Sequence, residues 1–315
     1  MSRLRLVFCG TPAFAVPSFQ KIVTAPEFQI AAVYTQPDRP RGRGHEVSFS
    51  PIKEAALAAD VPVHQPAKIR LSEVERHLRS LSPDAIVIIA YGQIIPARLL
   101  DIPRLGWINL HASLLPKYRG AAPINWAIAN GETVTGNTTM RIDAGMDTGE
   151  MLLRQELSIG PDETTLELAE RLSRAGAELM VDTLLGLAAG RLAPQPQDHA
   201  AATTAPMLKR DDGRIAWERP AQEIYNRMRG FTPWPGAYSE FRGQLCHISG
   251  RPASKEMSSA AAGEILVEAG NVYVACGSAT TLQVSHIKLE GRKQVSAHEF
   301  ANGARLHAGE RFGRA

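Results

Sequence analysis

Residues 85–90, Ala-Ile-Val-Ile-Ile-Ala, are apolar at every position and rich in β-branched side chains. A strand with one wet face alternates apolar and polar residues. A strand without that alternation is buried on both faces, as in a parallel sheet covered by helices. Around this run, residues 4–8, 30–34 and 61–64 read as further strands, and 51–59 and 72–81 as helices. The first helix is opened by Ser50-Pro51 and the second by a capping box of Ser72 and Glu75. Alternating strands and helices predict an α/β fold with a doubly wound, mostly parallel sheet, whose ligands sit beyond the carboxyl ends of the strands. That rule puts 90–93 and 111–116 on one rim. Gly10-Thr11-Pro12 reads as a tight turn into a helix, with Thr11 as cap and Pro12 at the first helical position. The second and third glycines of a dinucleotide fingerprint are missing, which argues against a nicotinamide cofactor.

Residues 107–120, W-I-N-L-H-A-S-L-L-P-K-Y-R-G, carry the chemistry. An apolar run holds one carboxamide and one imidazole and stops at Pro116. On a strand, Asn109 and His111 project to one face and Leu110 to the other. A hydrogen-bond donor beside a group that titrates near neutrality suits an oxygen gaining negative charge in acyl transfer. Residues 137–142 and 151–159 read as strands flanking Asp143-Ala-Gly-Met-Asp147-Thr-Gly149, where Asp147 offers a carboxylate to hold the imidazole. With no Ser or Cys nucleophile beside them, these residues point to direct transfer without a covalent enzyme intermediate. Taken singly, each also reads as a satisfied structural residue, and hairpin aspartates usually serve turns. A metal site is not expected, since no second histidine stands at ligand spacing.

Residues 36–45, Q-P-D-R-P-R-G-R-G-H, alternate Arg39, Arg41 and Arg43 with Pro and Gly, so neither helix nor strand is expected. The loop reads as a solvated connection or, because it is long for a β-to-α link, as a functional one. A short helix over 125–130 and a long one from a Thr164/Glu167 capping box to about 187 complete a domain of residues 1–189. Residues 190–208, rich in Pro, Gln and small side chains, read as an extended linker. Residues 209–315 change character. One helix over 221–230 is followed by short strands at 238–241, 245–249, 264–267, 271–276 and 281–289, which suggests a small closed, OB-like β-barrel.

Charge is uneven. Residues 209–315 hold 15 Lys and Arg against 11 Asp and Glu, while the remainder is nearly balanced, in a chain of net charge +3. This allows a polyanionic partner without demanding one. Lys288, Arg292 and Lys293 can touch phosphates, although scattered charges more commonly mark a solvated face. Trp234, in the rigid turn 231–236, is expected to pack between the domains. The cysteines, at 9, 246 and 276, are odd in number and far apart, which excludes a disulfide framework or zinc ribbon and fits a reducing compartment. No apolar segment approaches the ~20 residues of a membrane span, and the N-terminus lacks a secretory core, so a cytoplasmic protein is expected.

F-C-G-T-P-A-F-A at 8–15, Q-P-D-R-P-R-G-R-G at 36–44, A-Y-G-Q-I-I-P at 90–96, N-L-H-A-S-L-L-P-K-Y-R-G at 109–120, D-A-G-M-D-T-G-E at 143–150 and F-T-P-W-P-G-A at 231–237 resemble the folate-dependent formyltransferases along nearly the whole chain. The central motif is shared by the superfamily. The arginine-rich loop and P-W-P-G resemble the branch whose acceptor is a tRNA. The resemblance implies a Rossmann-like formyltransferase domain followed by a tRNA-binding barrel. It implies 10-formyltetrahydrofolate as formyl donor, without a metal, and the α-amine of methionyl initiator tRNA as acceptor. It implies catalysis by Asn109, His111 and Asp147. Folate contacts would come from the backbone of 88–93 (Ile88, Ala90, Tyr91 and Gln93) and from Ser113, Leu114, Leu115 and Pro116, and acceptor-stem contacts from Arg39, Arg41 and Arg43. One α/β unit with one barrel can work as a monomer. Three alternatives stay open: a small amine acceptor such as an amino sugar nucleotide, a folate hydrolase, and an RNA-binding barrel carrying an inactive α/β domain.

Overall fold

The computed structural model describes residues 3–41, 46–257, 259–307 and 309–313. The chain divides into two units. The first comprises Met1–Pro123, Val134–Ser158 and Glu167–Pro206, and the second Ile124–Thr133, Ile159–Leu166 and Met207–Ala315.

In chain order the elements begin with β1 (Leu4–Gly10), α1 (Val16–Thr24), β2 (Phe28–Tyr34), β3 (Arg39–Arg41), β4 (Glu46–Ser48), α2 (Pro51–Ala58), β5 (Val63–His64), α3 (Ser72–Leu81), β6 (Ala85–Ile89) and β7 (Trp107–His111). Then come α4 (Pro123–Ala129), β8 (Val134–Arg141), β9 (Met151–Ser158) and α5 (Thr165–Ala188). The main sheet has the order β5-β2-β1-β6-β7-β8-β9. Neighbours run parallel from β5 to β7, and β8 and β9 close the edge as an antiparallel pair. The uninterrupted apolar run is the central β6. Val87 and Ile89 face one core with Phe19 of α1, Ile52 of α2 and Met180 and Leu184 of α5, while Ile86 and Ile88 face another with Val74 and Leu78 of α3. Burying each such side chain contributes about 1.5–3 kcal/mol, so neither face tolerates a polar residue. The order of winding reverses between β1 and β6, where a doubly wound sheet opens a crevice at its carboxyl edge.

Local expectations change in three places. Thr11 caps no helix. Its hydroxyl donates to the Tyr91 carbonyl (3.2 Å) and accepts from Gln36 N–H (3.4 Å), stitching the ends of β1, β2 and β6, and the proline at the helix start is Pro17 of α1. Ser72 is inside α3, whose N-cap is Leu71, and Glu75 pairs instead with Arg79 and Arg98. The arginine-rich stretch is not wholly irregular: β3 and β4 form a two-stranded antiparallel ribbon. Pro40 is tolerated because so short a ribbon has open edges that need no N–H from it.

Unit 2 contains α6 (Ala221–Gly230), β10 (Tyr238–Phe241), β11 (Gln244–Ala253), β12 (Ile265–Glu268), β13 (Asn271–Ala275), β14 (Thr281–Leu289), β15 (Val295–Ser296) and α7 (Ala297–Ala304). Its strands are antiparallel in the order β10-β11-β14-β13-β12, with β15 beside β14. The two end strands are joined through the C-terminal segment. Phe312 N–H donates to Gly263 O (2.9 Å), Ile265 N–H to Glu310 O (2.8 Å) and Gly313 N–H to Glu240 O (2.9 Å). Inside lie Trp217, Phe241, Val272, Val284, Phe300 and Phe312. Trp234, expected to be packed away, is 55 % exposed. Trp126 of α4 packs edge-on against Phe231 instead. The three cysteines are free and buried. Among the described residues no helix is long and apolar enough to cross a membrane.

Candidate active site

Strand β7 lies between β6 and β8, with Asn109 beside Ile88 and Met140, and His111 beside Thr138. Trp107 joins the core under α3, while Ile108 and Leu110 join the core under α5. Asn109 and His111 therefore leave the strand on the Trp107 face, as the alternation predicts. Beyond His111 the chain folds back. The Thr138 hydroxyl donates to Ser113 O (2.7 Å) and accepts from Leu115 N–H (3.2 Å), and the Ser113 hydroxyl donates to Lys117 O (2.6 Å). Leu115 is anchored against Met140 and Met151. These contacts deliver Tyr118 and Gly120 back to the histidine.

His111 is 6 % exposed. Its Nε2 lies 2.9 Å from Tyr118 O, and because a carbonyl only accepts, Nε2 carries the proton. Its Nδ1 faces Asp147 Oδ2 at 3.6 Å, within ion-pair reach. The same Oδ2 accepts the Gly120 N–H at 2.8 Å. The neutral ring thus points its lone pair at a carboxylate, and the doubly protonated ring satisfies both neighbours. Nδ1 is the edge that can take up a proton, and Asp147 neutralises the charge that results. The carboxamide of Asn109, half-buried, has no hydrogen-bond partner among the described residues, so its N–H groups are free for an oxyanion. The Nε2–H of His111 is committed to Tyr118 O, which leaves the Asn109 carboxamide as the uncommitted donor on this face among the described residues.

An open cleft of about 380 Å³ lies at the switch point between β1 and β6, lined by residues including Thr11, Gln36, Asp38, Ala90, Tyr91 and Gly92. That size suits an organic ligand. His111 and Asp147 are not in its wall, but Ala90 follows β6 directly and β7 is the next strand, so cleft and pair share one rim. At its edge Asp38 pairs with Lys53 and accepts from Gln65 Nε2 (2.8 Å), and these contacts hold its carboxyl below the usual range.

The residues expected to meet folate divide. Ala90 is exposed at φ +48°, and Leu114 and Pro116 are half-buried, so all three are open to a ligand. Ile88, Tyr91, Ser113 and Leu115 are buried, and Ser113 is committed to Lys117. The Tyr91 carbonyl is taken by Thr11 and Gln36. Both ends of the Gln93 carboxamide serve the 66–69 segment, through Ile69 N–H (2.6 Å) and Pro66 O (3.2 Å). These side chains are held within the fold, and the contacts expected of 88–93 are ones of the backbone. Arg43 lies outside the described residues, as do the side chains of Arg39 and Arg41. Lys288, Arg292 and Lys293 are exposed on unit 2. Among the described residues no cluster of His, Cys, Asp or Glu could hold a metal. Three residues in contact with the pair carry no signal in the sequence. Tyr118 and Gly120 act through backbone atoms, which carry no side-chain signal, and Gln197 sits in a stretch that reads as linker.

The family model described as formyl transferase matches residues 4–184, and its C-terminal domain matches residues 207–305. The chain is 53 % identical to the methionyl-tRNA formyltransferase of Koribacter versatilis, over 98 % of each chain, and 52 % identical to that of Solibacter usitatus, over 98 % of this chain and 99 % of that one. In structure it is similar to WlaRD, a sugar 3N-formyl transferase crystallised with dTDP and 5-N-formyl-THF. The TM-score is 0.67 at 17 % identity, covering 93 % of this chain and all of that one, which bears on the fold alone.

Proposed function

This chain belongs to the formyl transferase family, and from that premise we propose that it moves the formyl group of 10-formyltetrahydrofolate to the α-amine of methionyl initiator tRNA. The observation that carries the chemistry is the 3.6 Å approach of His111 Nδ1 to Asp147 Oδ2, on the strand face that also presents Asn109. The acceptor is supported by relatives of that activity matching at about half identity over nearly the full chain.

The folate, when bound, supplies the formyl carbon as electrophile. The cleft at the β1–β6 switch point fits it by size, with the open backbone at Ala90 and Gly92 on one side. Leu114 and Pro116 are the side chains proposed to line its other flank. With a pKa of about 7.7–8.0, an appreciable fraction of an α-amine is already neutral near neutral pH, so catalysis concerns the oxyanion and the amine's proton. Asn109 donates to the oxyanion. His111 Nδ1 takes the proton shed as the new carbon–nitrogen bond forms, and the imidazolium is held between Tyr118 O and Asp147. Its positive charge, on the same strand face as Asn109, also favours the anion. Collapse of the oxyanion then breaks the bond from the formyl carbon to N10, and tetrahydrofolate leaves with the imidazolium's proton on N10.

Arg39, Arg41 and Arg43 are proposed to grip the acceptor stem, because guanidinium groups pair with phosphates and stack on bases. Lys288, Arg292 and Lys293, exposed on unit 2, are proposed to make phosphate contacts of their own. The protein is proposed to act as a cytoplasmic monomer. The test is to incubate it with 10-formyltetrahydrofolate and methionyl-tRNA and seek formylmethionine after ester hydrolysis. Parallel arms contain an amino sugar nucleotide or no acceptor. Formylation of the sugar, or release of formate without acceptor, would point to the other members of the superfamily.

A further inference from the structure

The segment that reads as a linker is laced across the loops that hold the His111–Asp147 pair. At one end Met151 and Gln195 exchange two backbone hydrogen bonds of 2.8 Å. At the other, Arg119 N–H donates to Thr203 O (2.9 Å), Ala205 N–H to Arg119 O (2.7 Å) and Ala122 N–H to Ala205 O (3.1 Å). The Thr203 hydroxyl accepts Tyr118 N–H at 2.9 Å. The strap passes so close to Gly120, at φ +120°, that a Cβ there would stand 2.7 Å from Ala205 O.

Between these anchors lies Gln197, 6 % exposed, with its whole carboxamide used. Nε2 donates to Asp147 O (2.9 Å) and Gly149 O (2.8 Å), and Oε1 accepts from Arg119 Nε (3.0 Å) and Nη2 (2.7 Å). One side chain thus joins the 147–149 loop to the 118–120 turn. That turn touches both members of the pair, His111 through Tyr118 O and Asp147 through Gly120 N–H. Asp147 itself sits at φ +52°, a left-handed conformation that a residue with a Cβ keeps only where its surroundings hold it. A buried glutamine bonded to the carbonyl of that residue is such a holder.

We propose that Gln197 is a positioning residue that fixes Asp147 against His111, and that 195–205 is a strap of the catalytic apparatus rather than a passive connection. This rests on the catalytic reading of His111 and Asp147, and the experiment separates the two. Steady-state kinetics and thermal melts are measured on the full chain and on Gln197→Ala, Gln197→Glu, Asp147→Asn and Gln197→Ala with Asp147→Asn. Glutamate keeps the acceptor for Arg119 but has no N–H for Asp147 O and Gly149 O.

Both Gln197 variants are expected to lose at least tenfold in kcat per folded molecule, with KM for folate and for methionyl-tRNA within twofold of the parent. In the Asp147→Asn background, Gln197→Ala is expected to change kcat less than threefold, because the group it positions is already disabled. The proposal is overturned if Gln197→Glu turns over like the parent, if Gln197→Ala slows Asp147→Asn by the factor it slows the parent, or if the lost activity follows only the lost folded fraction. Near-parental turnover by Asp147→Asn itself would strike the catalytic reading, and the positioning role with it.

Discussion

Oδ2 of Asp147 faces Nδ1 of His111 across 3.6 Å while it accepts the Gly120 N–H at 2.8 Å. The carboxylate is therefore anchored from the backbone and leaves its charge directed at the imidazole. The far nitrogen of the ring is fixed on Tyr118 O, so the ring cannot turn away without losing a buried hydrogen bond. A doubly protonated ring would find an acceptor at each nitrogen.

Thr138 is the post on which the loop after β7 is folded. Replacing it with valine leaves the buried Leu115 N–H without a partner, at a cost of about 1–3 kcal/mol. The expected outcome is a melting temperature lower by several degrees and a several-fold rise in KM for 10-formyltetrahydrofolate, since Leu114 and Pro116 ride on that loop. Thr138→Ser keeps the hydroxyl and should restore both. Calorimetry and initial rates check it, and an equal KM in the valine variant would detach the loop from folate binding.

Stability should fall as pH drops below neutrality. Burial holds the His64 imidazole below its ordinary value of 6.5, with His77 adding to the effect, and burial does the same for His247 ahead of Lys288 and Arg210. The unfolded chain therefore binds these protons first as pH falls. The stabilisation is complete above about 6.5 and is lost as pH falls toward the folded values. Melting temperatures from pH 7.5 to 5.5 test this, with His64→Phe expected to flatten the slope. An unchanged slope in that variant would remove His64 from the account.

If Arg41 contacts a phosphate, Arg41→Ala weakens tRNA binding and reduces the slope of log affinity against log salt by about one, and the same holds for Arg43→Ala. Turnover at saturating tRNA should remain near the parental value. Binding isotherms at several salt concentrations decide it, and an unaltered slope would take the loop off the tRNA.

Periodicity made the sheet legible. The apolar run at β6 and the alternation along β7 carry their burial in their own sequence, and both lie as that pattern predicts. The pairing of His111 with Asp147 was readable only as a matter of residue types, because 36 positions separate them and the fold alone closes the gap. Gln197 was not readable at all. Its neighbours are Pro, Gln, Asp and Ala, and its role comes from two carbonyls and a guanidinium that tertiary structure brings to it. Thr11 and Ser72 went astray for a smaller reason: a hydroxyl before an apolar run looks like a cap, but tertiary partners for Thr11, and a helix beginning one residue early at Ser72, override the local preference.

The most direct test of the central claim is the single-turnover rate of formyl transfer by His111→Ala and Asp147→Ala with both substrates saturating. The account predicts a loss of at least ~100-fold in each, with methionyl-tRNA affinity nearly unchanged. A rate within a few-fold of the parent in either variant would contradict it.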